Sequence, residues 1–284
     1  ATKDVHSNAA NAEVTNANTL TRFLKNGFEV SNDAEVNTSG ESYVAWQWLN
    51  DSLTTSSNTD GSINTTATSV NTTSGFSISK YDGSGSNGTV GHGLGIAPKM
   101  VIVKELTDSR SWVVYHEGIG DAAKVFYLDQ TAAAGTDASV WNSTAPTSTV
   151  FSVGTANGSN GSGNTYIAYA FAEIPGYSSI GTYTGNGSTD GPFVYTGFKP
   201  AFVMFKVSSN APTGWAIIDN KRSNPFNPTD GLLQPDQSNA EGTTDKWDIL
   251  SNGFKVRTTW PAVNGNGYNV TYMAFAENPF GGDG

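Results

Sequence analysis

The sequence predicts an all-β protein made of tandem β-sandwich repeats, each of jelly-roll or immunoglobulin-like size, with one N-terminal repeat only partial. Three observations lead there. Of 284 residues only 14% are charged while 32 are glycine. Such a composition disfavours long helices, because Ser, Thr and Asn compete for the backbone and Gly costs about 1 kcal/mol relative to Ala. Apolar residues come in short continuous runs, as in Met100-Val101-Ile102-Val103 and Phe202-Val203-Met204-Phe205, which suit strands buried on both faces. Whole phrases also recur in the same order, the mark of duplication.

The chain opens with residues 1–50, read as the trailing half of a first repeat. Leu24-Lys25-Asn26-Gly27-Phe28-Glu29-Val30 matches Leu250-Ser251-Asn252-Gly253-Phe254-Lys255-Val256, and Tyr43-Val44-Ala45-Trp46-Gln47-Trp48 matches the closing strand of the later repeats. Half a sandwich cannot cover its own core. The expectation is therefore that residues ahead of Ala1 once existed or that another part of the assembly covers it; the start at Ala1 instead of Met agrees with a processed chain or a fragment. Residues 51–75 are a Ser/Thr/Asn-rich connector or edge strand, with weak alternation over Ser62 to Val70.

The second repeat is assigned to residues 76–175 and the third to 176–284. Gly75-Phe76-Ser77-Ile78, Tyr81, Pro98, Lys104 and Trp112 answer to Ser178-Ser179-Ile180, Tyr183, Pro200, Lys206 and Trp215. Trp141, Phe151 and Ala170-Phe171-Ala172-Glu173 answer to Trp247, Phe254 and Ala274-Phe275-Ala276-Glu277. Further strands are expected at Trp112 to Tyr115, Phe126 to Leu128 and Trp215 to Ile218, and part of a helical turn at Ala132 to Ala134. Asp82-Gly83, Asn87-Gly88, Asn186-Gly187 and Asp190-Gly191 are read as tight turns that tolerate positive φ.

Charge and composition narrow the function. With 15 Lys+Arg against 25 Asp+Glu the net charge is −10, which repels phosphate backbones and excludes nucleic acid as an expected partner. No apolar run approaches the roughly 18 residues of a spanning helix, so membrane insertion is not expected. The absence of cysteine and the presence of only three histidines remove thiolate chemistry and leave little for a metal centre. No metal and no cofactor is assigned.

The phrases Gly91-His92-Gly93-Leu94-Gly95-Ile96-Ala97-Pro98-Lys99-Met100, Tyr183-Thr184-Gly185-Asn186-Gly187-Ser188, Tyr195-Thr196-Gly197-Phe198-Lys199-Pro200 and Ala274-Phe275-Ala276-Glu277-Asn278-Pro279-Phe280 resemble a repeat domain of uncharacterised function. It is carried by virion proteins of tailed bacteriophages, especially marine ones, and the resemblance covers nearly the whole chain. It implies a virion structural protein of the tail-fibre or spike kind, extracellular once assembled, with other virion proteins as partners. By analogy it also implies a homo-oligomer, a trimer. Members of that family usually have more sequence upstream of the segment matching Ala1. A capsid-decoration protein and a polysaccharide-degrading tail spike are the alternatives. No established catalytic residues carry over.

The candidate sites each have two readings. His92, in Gly91-His92-Gly93-Leu94-Gly95, either packs a loop or meets a ligand, but the motif lacks the P-loop ending. Glu173 and Glu277 could form a glycosidase pair only if they faced one groove; their repeat-equivalent positions favour a structural role. His116-Glu117 is likewise a strand-end pair or a base with its orienting carboxylate. The oxygen-rich stretches Asp82 to Asn87, Asn157 to Asn164 and Asn186 to Asp190 serve turns or calcium. Trp46, Trp112, Trp141, Trp215 and Trp247 are core positions, whereas Trp260 stands in a loop-like insertion. Lys221-Arg222 and Arg257 are local positive points, either for carboxylated glycans or neighbouring subunits or simply in a solvated loop, which is the favoured reading. The residues assigned to contact a host-surface glycan are Trp260, Tyr115 and Arg257; no catalytic residue is assigned and the chain is read as not an enzyme.

Overall fold

A computed structural model describes residues 2–50, 56–210, 213–222 and 226–281; residues 51–55 of the predicted connector lie outside the described residues. The all-β class is observed, with every named strand pairing antiparallel. The N-terminal stretch carries two hairpins: β1 (Lys3–Asp4) with β2 (Val14–Thr15), and β3 (Leu20–Leu24) with β4 (Gly27–Val30). A helical turn, α1 (Ala34–Asn37), follows, capped by the Asp33 carboxylate on the Glu35 N–H.

Strand β5 (Thr65–Asn71) forms the edge of a seven-stranded sheet. The second repeat then contributes β6 (Phe76–Asp82), β7 (Gly88–Gly91), β8 (Met100–Glu105), β9 (Val113–His116), β10 (Lys124–Tyr127) and β11 (Gly135–Thr136). Its second half is α2 (Ala138–Trp141), β12 (Val150–Val153), α3 (Asn157–Asn160) and β13 (Thr165–Phe171). The large sheet runs β11-β10-β9-β8-β13-β6-β5, and β7 pairs with β12 as the facing layer.

The third repeat follows the same plan with β14 (Ser178–Thr184), β15 (Phe193–Tyr195), β16 (Pro200–Val207), β17 (Ala216–Asp219), β18 (Trp247–Leu250), β19 (Gly253–Val256), α4 (Pro261–Asn264) and β20 (Asn269–Ala276). Its large sheet, β14-β20-β16-β17, matches β6-β13-β8-β9 strand for strand, and β15-β19-β18 forms the facing layer.

Alternation along the central strands explains how these layers stack. On β8, Val101 and Val103 point into the second repeat's own core while Met100 and Ile102 point the other way. On β16, Val203, Phe205 and Val207 face the third repeat's core while Phe202 and Met204 face away. The outward sets of both sheets meet in one common core, together with Trp112, Phe126, Phe171, Ile180, Trp215 and Phe275. The repeats are therefore packed around a shared centre instead of strung end to end. Period-2 geometry makes a continuous apolar run the requirement for a strand serving two cores.

Several sequence expectations need correction. Tyr43 to Trp48 forms no strand, and no strand pairs with it among the described residues; Trp46 and Trp48 dock instead against Phe202 at 5.5 Å. Ala132 to Ala134 is not helical. The turn forms later, over α2, where Asp137 caps the Ser139 N–H. Of the four turn dipeptides only Gly187 takes positive φ. Gly83 and Gly191 are required for close approach, since a Cβ would lie 2.1 Å from the Gly161 carbonyl oxygen and 2.5 Å from that of Val256.

His116, at the end of β9, ties the second repeat to the third. Its Nδ1 accepts from the Gly118 N–H at 3.0 Å, and its Nε2 lies 3.2 Å from the Tyr272 carbonyl, which makes Nε2 the protonated nitrogen. Burial pushes its pKa down to about 4 against the hydrogen bond to Tyr272, with Lys99 acting in the same downward direction. The native ring stays neutral while the unfolded ring protonates near 6.5, so stability is greatest above that value and is lost as pH falls toward about 4. The loss attached to this residue is roughly 3 kcal/mol. Replacing it, as in His116→Gln, should flatten the wild-type slope between those two pH values in urea unfolding; an unchanged slope would show the ring titrates normally.

Candidate functional site

Some of the polar side chains buried in the repeats come in matched pairs that hold one repeat to the next. Lys104 and Lys206 are fully buried on β8 and β16. The Lys104 ammonium donates to the carbonyls of Ala10 (3.2 Å), Glu105 (2.7 Å) and Arg110 (2.9 Å). Lys206 donates to those of Thr131 (3.2 Å) and Thr213 (2.5 Å). Burial lowers both pKa values, that of Lys206 to about 8. Beside them the indole N–H of Trp112 donates to the His6 carbonyl and that of Trp215 to the Tyr127 carbonyl, each at 2.9 Å. Asp129 and Asp236 accept from the Trp112 and Trp215 backbone N–H groups, each at 3.2 Å. Each repeat thus grips the preceding one with the same lysine and tryptophan.

The suspected catalytic groups have structural partners. His92 is buried, with Nδ1 accepting from the Leu94 N–H and Nε2 facing the Thr147 carbonyl, both at 3.1 Å; burial lowers its pKa. Glu173 binds Lys99 at 3.0 Å and accepts from the Ile180 N–H at 2.7 Å. Glu277 binds Lys199 at 2.7 Å and accepts from Asn220 at 2.7 Å. These are equivalent ion pairs at the base of equivalent strands. Each oxygen-rich loop is organised by a buried asparagine: Asn160 donates to the Ser86 and Gly154 carbonyls, and Asn264 to those of Ser188 and Thr258.

The three assigned ligand residues do not converge. Tyr115 is the clearest correction: it lies in the second repeat's core, 7% exposed and edge-on to Trp141, because its position on β9 points inward. It offers no face to a ligand. Trp260 is half-buried against the third core and precedes α4. Arg257 is exposed, pairs with Asp248 at 3.5 Å and lines an open cleft of about 360 Å³ with Thr189, Asp190, Pro228 and Lys246. Lys246 pairs with Asp230 at 2.6 Å and Asp190 with Lys255 at 2.7 Å. The hydrogen bond and charge of Lys255 hold the Asp190 carboxyl below its ordinary value. Of the pair Lys221-Arg222, only Lys221 faces solvent, with Glu277 at 3.9 Å. The Arg222 side chain is 9% exposed and is held by Asp219 at 2.6 Å and Glu241 at 2.7 Å.

Among the described residues one group of three could ligate a metal: Asp4, His6 and Glu35, whose ligand atoms lie within 4.8 Å of one another. A histidine with two carboxylates is chemistry suited to a divalent ion. Sequence reading missed this group because its members come from a hairpin and a later helical turn. The lysines were missed as well, although a charge ending an apolar run at the same place in both repeats was a visible signal.

Substitution separates core from surface. Tyr115→Ala should cost roughly 3–5 kcal/mol in unfolding free energy, whereas Arg257→Ala should stay within about 0.5 kcal/mol of wild type; thermal and urea melts of both variants check this.

The chain was also compared with known proteins. No curated protein and no solved structure matches it. A family model described as a domain of unknown function, DUF7483, matches residues 1–279. On that match, which spans nearly its whole length, the chain belongs to the DUF7483 family.

Proposed function

We propose that the protein is an architectural subunit of a tailed-phage virion, a tail-fibre, spike or surface appendage that attaches non-covalently to host-surface glycan. The observation that carries the architectural part is the matched use of polar groups. Lys104 and Lys206 reach equivalent carbonyls, Trp112 and Trp215 do the same, and Glu173 and Glu277 each pair with the equivalent lysine. An active site needs polar groups that differ from the packing set and converge on one pocket. The virion context rests on the resemblance of the repeat phrases, and assembly into a homo-trimer belongs to the same analogy.

For attachment, the cleft beside Arg257 combines Lys246 and Arg257 with the hydroxyl of Thr189, a set suited to a carboxylated or hydroxylated sugar. Trp260, three residues along, supplies for stacking an aromatic that is only half-buried. Weak sites of this kind gain strength through multivalency on an assembled particle.

Mass spectrometry of purified virions should detect the protein, and immunogold labelling should place it on the tail; labelling on the head would favour capsid decoration, and absence from the particle would remove the reading. Labelled protein should bind host cells, with Arg257→Ala and Trp260→Ala each weakening attachment roughly tenfold, about 1.4 kcal/mol. Unchanged attachment in both variants would dismiss the cleft, and release of reducing sugar from host polysaccharide would favour a depolymerising spike.

A further inference from the structure

We propose that the open side of the N-terminal half-repeat is a docking surface for a polypeptide of this same repeat type, the four leading strands equivalent to β14–β17. The inference stands apart from the virion reading, since it rests only on how the repeats grip one another.

The grip is cyclic. The second repeat holds the His6 and Ala10 carbonyls through Trp112 and Lys104, and the third holds those of Tyr127 and Thr131 through Trp215 and Lys206. The hairpins that present these carbonyls are equivalent: Lys3 faces Thr15 as Lys124 faces Thr136. The third repeat presents the same segment again. Leu232 bridges Gly242 as Val125 pairs Gly135, and Ile217 bridges Leu233 as Val114 pairs Phe126. The next carbonyls in the series are therefore those of Gln234 and Ser238, and no lysine or tryptophan side chain reaches them among the described residues. The N-terminal unit stands at that place, with the Ser7 hydroxyl donating to the Pro235 carbonyl at 2.8 Å.

A second set of contacts runs in the same direction. His116 of the second repeat reaches the closing strand of the third at Tyr272. Asp219, at the position of His116 one repeat later, accepts from the Trp46 indole in the N-terminal unit at 3.1 Å. At the centre Trp48, Phe171 and Phe275, one from each unit, meet pairwise with centroids 6.3, 6.1 and 5.4 Å apart. Three units thus form a ring, and among the described residues only the first shows no counterpart of the leading strands.

The surface left open has the chemistry of an uncovered sandwich. Phe23 on β3 is 71% exposed, while Ile249, at the same register on β18, is 7% exposed. Val14, Leu24, Tyr43 and Leu49 are exposed as well. A groove of about 370 Å³ runs along Trp46, Trp48, Phe202, Lys221, Phe275 and Glu277. At the junction of the second and third repeats, the equivalent residues receive β14: Ile180 is buried in the common core and its N–H donates to Glu173. The groove is accordingly shaped for a first strand whose aliphatic residue donates to Glu277. The third strand of the same segment carries the lysine, and the residue before its fourth strand is the tryptophan, for Ser238 and Gln234.

The test joins residues 74–123 directly ahead of Lys3, so that Ala123 precedes Lys3 as it naturally precedes Lys124. Hydrogen exchange across 20–30 and 43–49 should slow at least about tenfold, and the melting temperature should rise by roughly 5 °C or more. Ile78→Asp in the added copy alone should remove both gains. A second fusion with residues 176–230 guards against failure of one segment to fold. The proposal is overturned if neither fusion protects these amides, or if the gains survive Ile78→Asp. It is also overturned if sedimentation shows the unfused chain to be a stable oligomer with the same amides already protected, which would make a second copy the occupant.

Discussion

The structure depends on one constraint: the central strands β8 and β16 must be apolar on both faces, because each belongs to two cores at once. A sandwich needs one apolar face per sheet. Here the outer faces of two large sheets close on each other, so the alternation that would expose every second residue to water is suppressed. The common core that results is rich in large aromatics, Trp112, Phe126, Phe171, Trp215 and Phe275 among them, side chains that bury on the order of 150–250 Å² each. Packing around a centre, not linkage along the chain, holds the repeats together.

Such packing has a polar cost, and the buried lysines meet it. Where one repeat passes over the next, the carbonyls of Ala10 and Thr213 have no strand partner among the described residues, and that of Thr131 is shared between the Lys206 ammonium and the Thr213 N–H. An unpaired buried carbonyl costs about 1–3 kcal/mol. One ammonium with three donors serves two or three of them from a single position. The charge itself is penalised, which is why both lysine pKa values are lowered. Because a carbonyl accepts from a lysine only if it lies within reach, the same side chain that relieves the cost also fixes the register of one repeat on another.

How much of this was legible in the sequence depends on the range of the interaction. The all-β class was readable, because Gly, Ser, Thr and Asn content and short apolar runs act within a few residues. Met100 to Val103 also reported burial on both faces, since continuity of an apolar run is a local property. What filled the second face was not readable. Tyr43 to Trp48 reads as a strand from its own residues, but a strand is a relation to neighbours, and among the described residues no strand lies beside it. Tyr115 reads as an available aromatic, but the facing of β9 sends it inward toward Trp141. Arg222 reads as a free charge until Asp219, three residues back, is seen to turn with it.

The two histidine sites show why residue type alone misleads about chemistry. His92 and His116 share one arrangement, an Nδ1 that accepts the N–H two residues on and an Nε2 that faces a distant carbonyl. That arrangement fixes the tautomer and uses both nitrogens, so neither ring has a lone pair or proton left for a substrate. A short side chain could cap the local turn, but only a planar ring with a donor opposite its acceptor also spans to another strand. In His92 the far end stays within the second repeat; in His116 it crosses to the third. The same local solution therefore closes a loop in one place and joins two repeats in the other, and what decides between them is the position of β9 beside the shared core.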